Sequence, residues 1–404
     1  MARAEPRRFP PRRLGEPRII AAIGIGLGLL AVWLALPPIA ARAVLWPVFV
    51  GLLAVAAGIW SASRGAGRVG WGAVASGLLG VAFGIFATRA RTTNLEGVFV
   101  WSTIFASTLR YATPLTFAAI GGMFSERSGV VNIGLEGMML MGAFFGVWGA
   151  DKTDSWLLGI LIAMLAGVAL ALVHAIFTIS FRAEQIVTGT AVNFLALGIT
   201  GYVFVSTYGA QGAPTNIPEI PDVSIGFLKN VYFLGPVFGT LNLMIWLSFA
   251  LLIVSHFVMF KTTIGLRIRS VGEHPRAADT VGISVYRTRY AAVATSGALA
   301  ALGGAYLSLG FVHTFDQNIT GGRGFIALAA LIFGKWRPFG AFSAALLFGF
   351  SSALGDHLPD FFKQGSALPQ LFNTLPYVLT IVAVAGVIGR SIPPAAIGRP
   401  YTKQ

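Results

Sequence analysis

The chain has 404 residues, of which 55% are hydrophobic and 11% are charged, and its formal net charge is +14. A soluble domain carries about twice that charged fraction, whereas a lipid-facing surface excludes charge, so the composition indicates a polytopic membrane protein. The absence of cysteine excludes a disulfide framework, a thiolate metal site and a Cys nucleophile. In such a protein the positive charge indicates loop orientation and not nucleic-acid binding.

Long apolar segments follow one another along the chain, and about 20 apolar residues span the hydrocarbon core as a helix. We predict an all-α bundle of about twelve transmembrane segments, of which about ten form a transport core. The predicted spans, in chain order, are 18–41, 44–61, 70–88, 97–124, 132–150, 155–181, 184–205, 236–260, 289–312, 322–335, 338–355 and 370–389. The segment 322–335 is short for a full crossing, which predicts a tilted or re-entrant helix.

The basic residues predict the orientation of the bundle. The arginine-rich first residues precede an apolar stretch that is too long for a cleaved signal peptide. If the spans alternate from a cytoplasmic N-terminus, most Lys and Arg residues fall on the cytoplasmic side. The exceptions are Arg42, Arg89, Arg91, Lys152, Lys229, Arg323 and Lys363, which fall outside, and Arg110, which falls within a span. Both termini are therefore predicted to be cytoplasmic.

Composition also predicts how the chain is divided. The predicted parts are a basic cytoplasmic tail (1–17), extra N-terminal transmembrane segments (18–96), a transport core (97–390), a cytoplasmic loop within the core (261–288) and a cytoplasmic C-terminal tail (391–404). A loop rich in Pro and Gly, 206–235, is expected outside, where an external partner can dock.

The loop 261–288 carries the most specific pattern in the chain. Gly272 can end or bend a helix, and Pro275 favours the first turn of a new one. Ala277 and Ala278 then give a short helix along the membrane a small, close-packing face that suits a groove in a soluble partner. The alternative is a basic connector that only anchors two spans. The ordered string Gly-Glu-x-Pro-x-Ala-Ala-x(3)-Gly-Ile favours a docking element.

A second string runs from the fourth predicted span into the fifth. It reads Thr113-Pro114-Leu115, Gly121-Gly122, then Phe124-Ser-Glu126-Arg127-Ser128-Gly129-Val-Val-Asn132-Ile-Gly134-Leu-Glu136-Gly137. Together the two strings resemble the permease subunits of ABC importers for ribose, branched-chain amino acids and nucleosides, and the second resembles the nucleoside (simple sugar) branch. The resemblance covers about 97–390, and the first 96 residues have no counterpart in it.

The resemblance implies a transport subunit that moves nucleosides, or similar small sugars, across the inner membrane. It implies that the inner loop couples to an ATPase through Arg267, Gly272, Glu273, Pro275, Ala277, Ala278 and Gly282. The implied partners are a cytoplasmic ABC ATPase, a second and paralogous permease, an extracytoplasmic substrate-binding lipoprotein and the lipid bilayer. ATP and Mg would be bound by the ATPase, so this chain is expected to hold no cofactor.

The motifs that the sequence lacks agree with a transport subunit and not an enzyme. No G-x-x-x-x-G-K-[ST] string occurs, so the chain has no P-loop of its own. No H-E-x-x-H, no G-x-S-x-G and no acidic metal cluster occurs either. We therefore predict no catalytic residue and no metal ligand.

Polar residues among the apolar spans predict a substrate path. Asn132 and Glu136 are four apart and share a helix face if a helix begins near 132. Glycines at 121, 122 and 129 would interrupt the helix and free backbone groups beside that face, as in other transporters. The predicted path residues are Ser128, Asn132, Glu136, Gln185 and Asn193.

Alternatives to this interpretation stay open. Structurally, Glu126 can pair with Arg127 in a cytoplasmic turn, while Glu136 caps or cross-links helices. Functionally, an ion-coupled secondary transporter needs a buried acid, and Glu136 can serve as one. An ABC permease for branched-chain amino acids is a further alternative. A non-transporting scaffold is disfavoured by the polar string at 125–136.

Overall fold

The structure is a computed structural model. It describes residues 16–35, 44–89, 101–209, 212, 217–229, 231, 234–357, 374 and 391–403. The chain divides into two compact units, Met1–Trp101 and Ser102–Gln404.

The described residues of the first unit form three helices, and each packs against the other two. They are α1 (Glu16–Ala35), α2 (Leu45–Ser61) and α3 (Arg68–Arg89). A tight turn joins α2 to α3, and Gly65 adopts a φ of 91° there, which favours glycine. Small residues let the helices approach closely: a Cβ added to Gly77 would lie 2.7 Å from the carbonyl oxygen of Gly51.

The second unit is mostly helical in its described residues. Its helices are α4 (Trp101–Arg127), α5 (Leu135–Thr153), α6 (Trp156–Ala175), α7 (Gln185–Tyr208), α8 (Gly226–Lys229), α9 (Leu234–Phe238), α10 (Leu243–Lys261), α11 (Thr263–Glu273), α12 (Pro275–Thr280), α13 (Val285–Ala305), α14 (Arg323–Phe333) and α15 (Pro338–His357). Wider π turns, Ile176–Ser180 and Tyr306–Val312, continue α6 and α13. Strand β1 (Asp222–Ser224), in the predicted outer loop, pairs antiparallel with β2 (Thr240–Asn242), which lies at the start of the predicted span 236–260.

Seven helices in the described residues are long and apolar enough to cross a membrane. They are Pro17–Ala35, Leu45–Ala66, Trp156–Ser180, Gln185–Tyr208, Leu243–Lys261, Val285–Val312 and Pro338–His357. Every predicted span up to 338–355 overlaps a helix, whereas the predicted span 370–389 and most of the basic tail 1–17 lie outside the described residues. Apart from the short β1–β2 pair, the predicted all-helical architecture is therefore observed in the described residues.

The short helix α14 does not cross a membrane by itself. Its 11 residues extend about 17 Å, well below the ~30 Å of a hydrocarbon core. A turn precedes it in which Gly321 and Gly322 both adopt positive φ. The segment predicted as a tilted or re-entrant span is thus a half-helix.

Helix α13 lies at the centre of the second unit, between α5 and α6. Glycine permits this packing, since a Cβ added to Gly142 of α5 would lie 2.1 Å from the carbonyl oxygen of Ala301. Helices α7 and α10, in contrast, expose large apolar side chains such as Phe194 and Ile253. A bilayer accommodates such exposed apolar residues, which a soluble protein rarely shows in this density.

Candidate functional site

The candidate site is built around a break in the chain between α4 and α5. We call residues 128–134 the junction segment; α4 ends before it at Arg127 and α5 begins after it at Leu135. The break occurs at Gly129, whose φ is 92°. The predicted helix start near 132 and the predicted interruption at Gly121 and Gly122 are wrong, because α4 continues through both glycines, where the lack of a side chain lets it pack closely.

Side chains from other helices bind the backbone groups that this break frees. Gln185 Oε1 accepts a 2.7 Å hydrogen bond from Val131 N, and His174 Nε2 donates to the Val131 carbonyl at 3.0 Å. Asn193 Nδ2 donates to the Ile133 carbonyl at 3.1 Å. Lipid offers no partner for an open backbone, so irregular chain at membrane depth needs such internal partners. Gln185 and Asn193 therefore hold the junction segment in shape.

Two further predicted path residues lie within the junction segment itself. Asn132 is fully buried, and its Nδ2 donates to Ser296 Oγ of α13 at 2.8 Å. Its Oδ1 has no hydrogen-bond partner among the described residues. The Ser128 hydroxyl donates to the Ser125 carbonyl at 2.7 Å. Both residues thus contact protein, and their role in a substrate path stays a prediction.

Glu136 binds the N-terminal end of the half-helix α14. Its Oε1 accepts hydrogen bonds from Thr320 Oγ1 at 2.5 Å and Gly322 N at 2.8 Å, and its Oε2 accepts one from Gly324 N at 2.6 Å. A carboxylate at a helix N-terminus meets the unpaired N–H groups and the positive end of the helix dipole. Only glycine fits at 324, because a Cβ there would lie 2.4 Å from the Glu136 Cα atom. The carboxylate therefore cross-links α5 to α14.

Glu126 and Arg127 do not pair with each other, contrary to the structural alternative drawn from the sequence. Glu126 Oε2 accepts a 2.5 Å hydrogen bond from Trp336 Nε1, while Arg127 Nε and Nη2 donate to the Trp336 carbonyl at 3.0 and 2.9 Å. Trp336 lies just after α14 and is buried. Helix α14 is thus tied at both ends to the chain that flanks the junction segment.

We expect Trp336→Phe to destabilise the protein, since it removes the indole donor and leaves the buried Glu126 carboxylate without it. The expected cost is about 1–3 kcal/mol, which a thermal-unfolding assay of the detergent-purified protein would detect.

The matched control is Trp246→Phe. The indole Nε1 of Trp246 is buried and has no partner among the described residues, so its loss should leave the melting temperature nearly unchanged. Equal losses in the two variants would contradict a specific role for the Glu126–Trp336 bond.

The predicted coupling loop packs directly on this site. Helix α11 ends at Glu273 and Pro275 is the first residue of α12, which confirms the predicted helix start at Pro275. Gly272 does not end the helix; it allows close approach, because a Cβ at that position would lie 2.0 Å from the Arg127 carbonyl oxygen. The loop and the end of α4 are therefore in backbone contact.

The other predicted coupling residues lie in α11, in α12 and in the turn that follows α12. Arg267, Glu273 and Ala277 are exposed, whereas Ala278 is buried in a small apolar cluster with Val271 and Val285. Gly282, with a φ of 84°, ends the turn that follows α12. One alanine therefore anchors the short helix and the other leaves a small exposed face, as a docking element requires.

Sequence reasoning missed several residues of this site. Arg289 is 2% exposed, and its Nε and Nη1 donate to the carbonyls of Ser128 and Arg399 at 3.2 Å each. A signal for it existed, since a charged residue stood at the first position of the predicted span 289–312. Trp336 had no comparable signal. In the described part of the chain, no group of three or more His, Asp or Glu side chains could hold a metal ion.

Sequence comparison shows the family. The family described as "branched-chain amino acid transport system / permease component" matches residues 104–384, which include the junction segment, the coupling loop and α14. The chain belongs to this family. The resemblance drawn from the two strings is thereby confirmed, and this permease is a multi-pass protein of the inner membrane, in keeping with its long apolar helices.

Several curated proteins are similar along most of the chain. The guanosine ABC transporter permease protein NupQ of Bacillus subtilis is 45% identical over 328 residues, covering 76% of this chain and 99% of the relative. The nucleoside ABC transporter permease protein NupC of Lactococcus lactis is 40% identical, covering 74% and 96%. The putative glucose ABC transporter permease protein TsgC13 of Haloferax volcanii is 33% identical, covering 70% and 91%.

The two bacterial relatives each have a paralogue that also matches this chain. NupP of Bacillus subtilis is 27% identical, covering 62% of this chain and 74% of the relative. NupB of Lactococcus lactis is 25% identical, covering 71% and 81%. Permeases of this kind thus exist as paralogous pairs. No solved structure matches the chain significantly.

Proposed function

We propose that this permease is the membrane-spanning subunit of an ATP-driven importer that carries nucleosides into the cell. The observation that carries the proposal is similarity: the relatives named for guanosine and nucleosides are 45% and 40% identical and match over nearly their full lengths. A relative named for glucose is 33% identical, which makes small sugars the nearest alternative substrate.

We propose that the loop 261–288 is the coupling element. The exposed residues Arg267, Glu273 and Ala277 would face the ATPase, while Pro275 begins α12 and Gly282 ends the turn that follows it. ATP and Mg would be bound by that partner, since this chain has no P-loop. Closure of two ATPase subunits on ATP would then push on α12.

The packing of Gly272 provides a route for this movement. Because α11 lies against the Arg127 carbonyl without an intervening side chain, displacement of the loop acts directly on the end of α4. The hydrogen bonds of Trp336 with Glu126 and of Glu136 with Gly324 would then transmit this displacement to both ends of α14. We propose that Ser128, Asn132, Glu136, Gln185 and Asn193 act on the substrate path by positioning the junction segment and α14.

The complete importer would contain further subunits. We propose two ABC ATPase subunits, a second and paralogous permease chain and an extracytoplasmic substrate-binding lipoprotein. Within the bilayer, we propose about twelve spans with both termini cytoplasmic, as the distribution of Lys and Arg favours.

The test is copurification of the tagged chain with the products of its neighbouring genes, followed by uptake assays in proteoliposomes. ATP-dependent uptake of guanosine should exceed that of glucose and leucine. The double variant Glu273→Ala/Pro275→Ala should lose the substrate-stimulated ATPase activity while the subunits remain expressed.

Two outcomes would contradict the proposal. Preference for glucose or leucine would replace the substrate class while keeping the ATP-driven mechanism. Uptake under an ion gradient by a chain that purifies without an ATPase would replace the mechanism. The second outcome is disfavoured by the structure, since both oxygens of Glu136 already accept hydrogen bonds from protein donors.

A further inference from the structure

The C-terminal residues fold back onto the coupling loop. The N–H of Ala396 donates to the Gly272 carbonyl at 2.9 Å, and the N–H of Gly398 donates to the Gly129 carbonyl at 3.1 Å. The N–H of Ala395 donates to Glu273 Oε2 at 3.2 Å. Residues 391–402, which we call the C-terminal clamp, therefore bind the end of α11 and the turn after α4 together.

Arg289 of α13 holds the clamp by a hydrogen bond to its backbone. This buried guanidinium donates to the Ser128 carbonyl on one side and to the Arg399 carbonyl on the other. Burying a guanidinium is costly, and these two carbonyls satisfy its Nε and Nη1 donors, while its Nη2 has no hydrogen-bond partner among the described residues. The same side chain thus joins α13, the junction segment and the clamp.

Tyr401 anchors the far end of the clamp. Its ring is buried with Val271 and Ala278, and its centroid lies 5.7 Å from that of Tyr286. The Tyr286 hydroxyl donates to the Tyr401 carbonyl at 3.2 Å. Burial and the nearby Asp279 carboxylate raise the pKa of the Tyr401 phenol, so it remains neutral. Because Ala278 belongs to α12, the clamp holds the coupling helix itself.

A cleft of about 500 Å³ opens between α12 and the clamp. Its lining includes Arg276 and Arg399, both exposed, together with His274. The acid in the lining, Glu273, already accepts a hydrogen bond from the clamp. The cleft therefore presents net positive charge beside the exposed face of α12, and an acidic protein segment complements it.

We propose that the C-terminal clamp is half of the ATPase-docking surface: it holds α12 in position and forms with it a basic cleft that receives an acidic segment of the ATPase subunit. This inference rests on the proposed function. It assigns a role to residues 391–402 and makes Arg276 and Arg399 the determinants of partner binding.

The first test measures binding of the purified ATPase subunit to the permease in nanodiscs. The double variant Arg276→Glu/Arg399→Glu should weaken binding about ten-fold or more, and the salt dependence of binding should diminish. Lys403→Glu is the matched control, because this exposed residue of the same tail lies outside the cleft lining. It should bind as the unmodified chain does.

The second test distinguishes the two roles of the clamp, which are to hold α12 in position and to supply positive charge. Tyr401→Ala should reduce substrate-stimulated ATPase activity about ten-fold, whereas Tyr401→Phe, which keeps the packed ring, should retain it. Normal ATPase binding by the Arg276→Glu/Arg399→Glu protein, or equal loss with Lys403→Glu, would overturn the inference. If the unmodified permease binds no ATPase at all, the proposed function itself fails, so the two failures are distinguishable.

Discussion

Replacing Glu136 by alanine is expected to destabilise the permease severely and to abolish transport. The change leaves two buried donors, the Thr320 hydroxyl and the N–H of Gly324, without their acceptor at the start of α14. Each buried unpaired donor costs about 1–3 kcal/mol, so the two together cost about 2–6 kcal/mol. Thermal unfolding in detergent and uptake by cells expressing the variant would measure the two effects. Glu136→Gln, which keeps one acceptor oxygen, should be intermediate.

Glu184 offers a matched control. Its carboxylate also caps a helix, with Oε2 accepting from Val187 N at 2.6 Å, but it is exposed at the start of α7. Glu184→Ala should therefore cost only about 0.5–2 kcal/mol, as caps usually do. A Glu136→Gln protein with unchanged melting temperature, whose uptake no longer depends on an ion gradient, would contradict the capping role and support an ion-coupled transporter.

Gly272→Ala is expected to uncouple the loop from the membrane helices. In an open helix this change would stabilise by about 1 kcal/mol. Here the added Cβ would lie 2.0 Å from the Arg127 carbonyl oxygen, so α11 must move away from the end of α4. Overpacking of this kind costs about 1–3 kcal/mol, and displacement of the loop should remove the stimulation of ATPase activity by substrate.

Gly198→Ala provides the comparison for this variant. Gly198 lies in the interior of α7, where nothing lies within 4 Å of an added Cβ, so the melting temperature should stay constant or rise. The inferred contact between the loop and α4 would be refuted by a Gly272→Ala protein that keeps both its stability and its substrate-stimulated ATPase activity.

One set of contacts connects the coupling loop to the half-helix α14. The coupling loop, the turn after α4, the C-terminal clamp and both ends of α14 are joined by hydrogen bonds and close backbone contacts. We expect these elements to move together, because tightly packed elements are not continuously deformable. The half-helix α14 is the element best placed to respond, since it is short and is held at its two ends by Glu136 and Trp336.

Sequence alone determined the features that depend on local composition. Apolar runs predicted helices that the structure contains, because the length of a span is set by the thickness of the bilayer and not by packing partners. The helix start at Pro275 followed from the fixed φ of proline. The two ordered strings, 113–137 and 265–283, indicated the family without any knowledge of which side chains meet.

Tertiary structure alone decided which polar groups meet. Glu136 is separated by 184 residues from Thr320, and Glu126 by 210 residues from Trp336, so no local pattern could pair either of them. The same holds for the C-terminal clamp, whose residues resemble an ordinary polar tail until they lie on Gly272 and Arg289. A buried polar group must find a partner, but only the packed helices determine which partner is within reach.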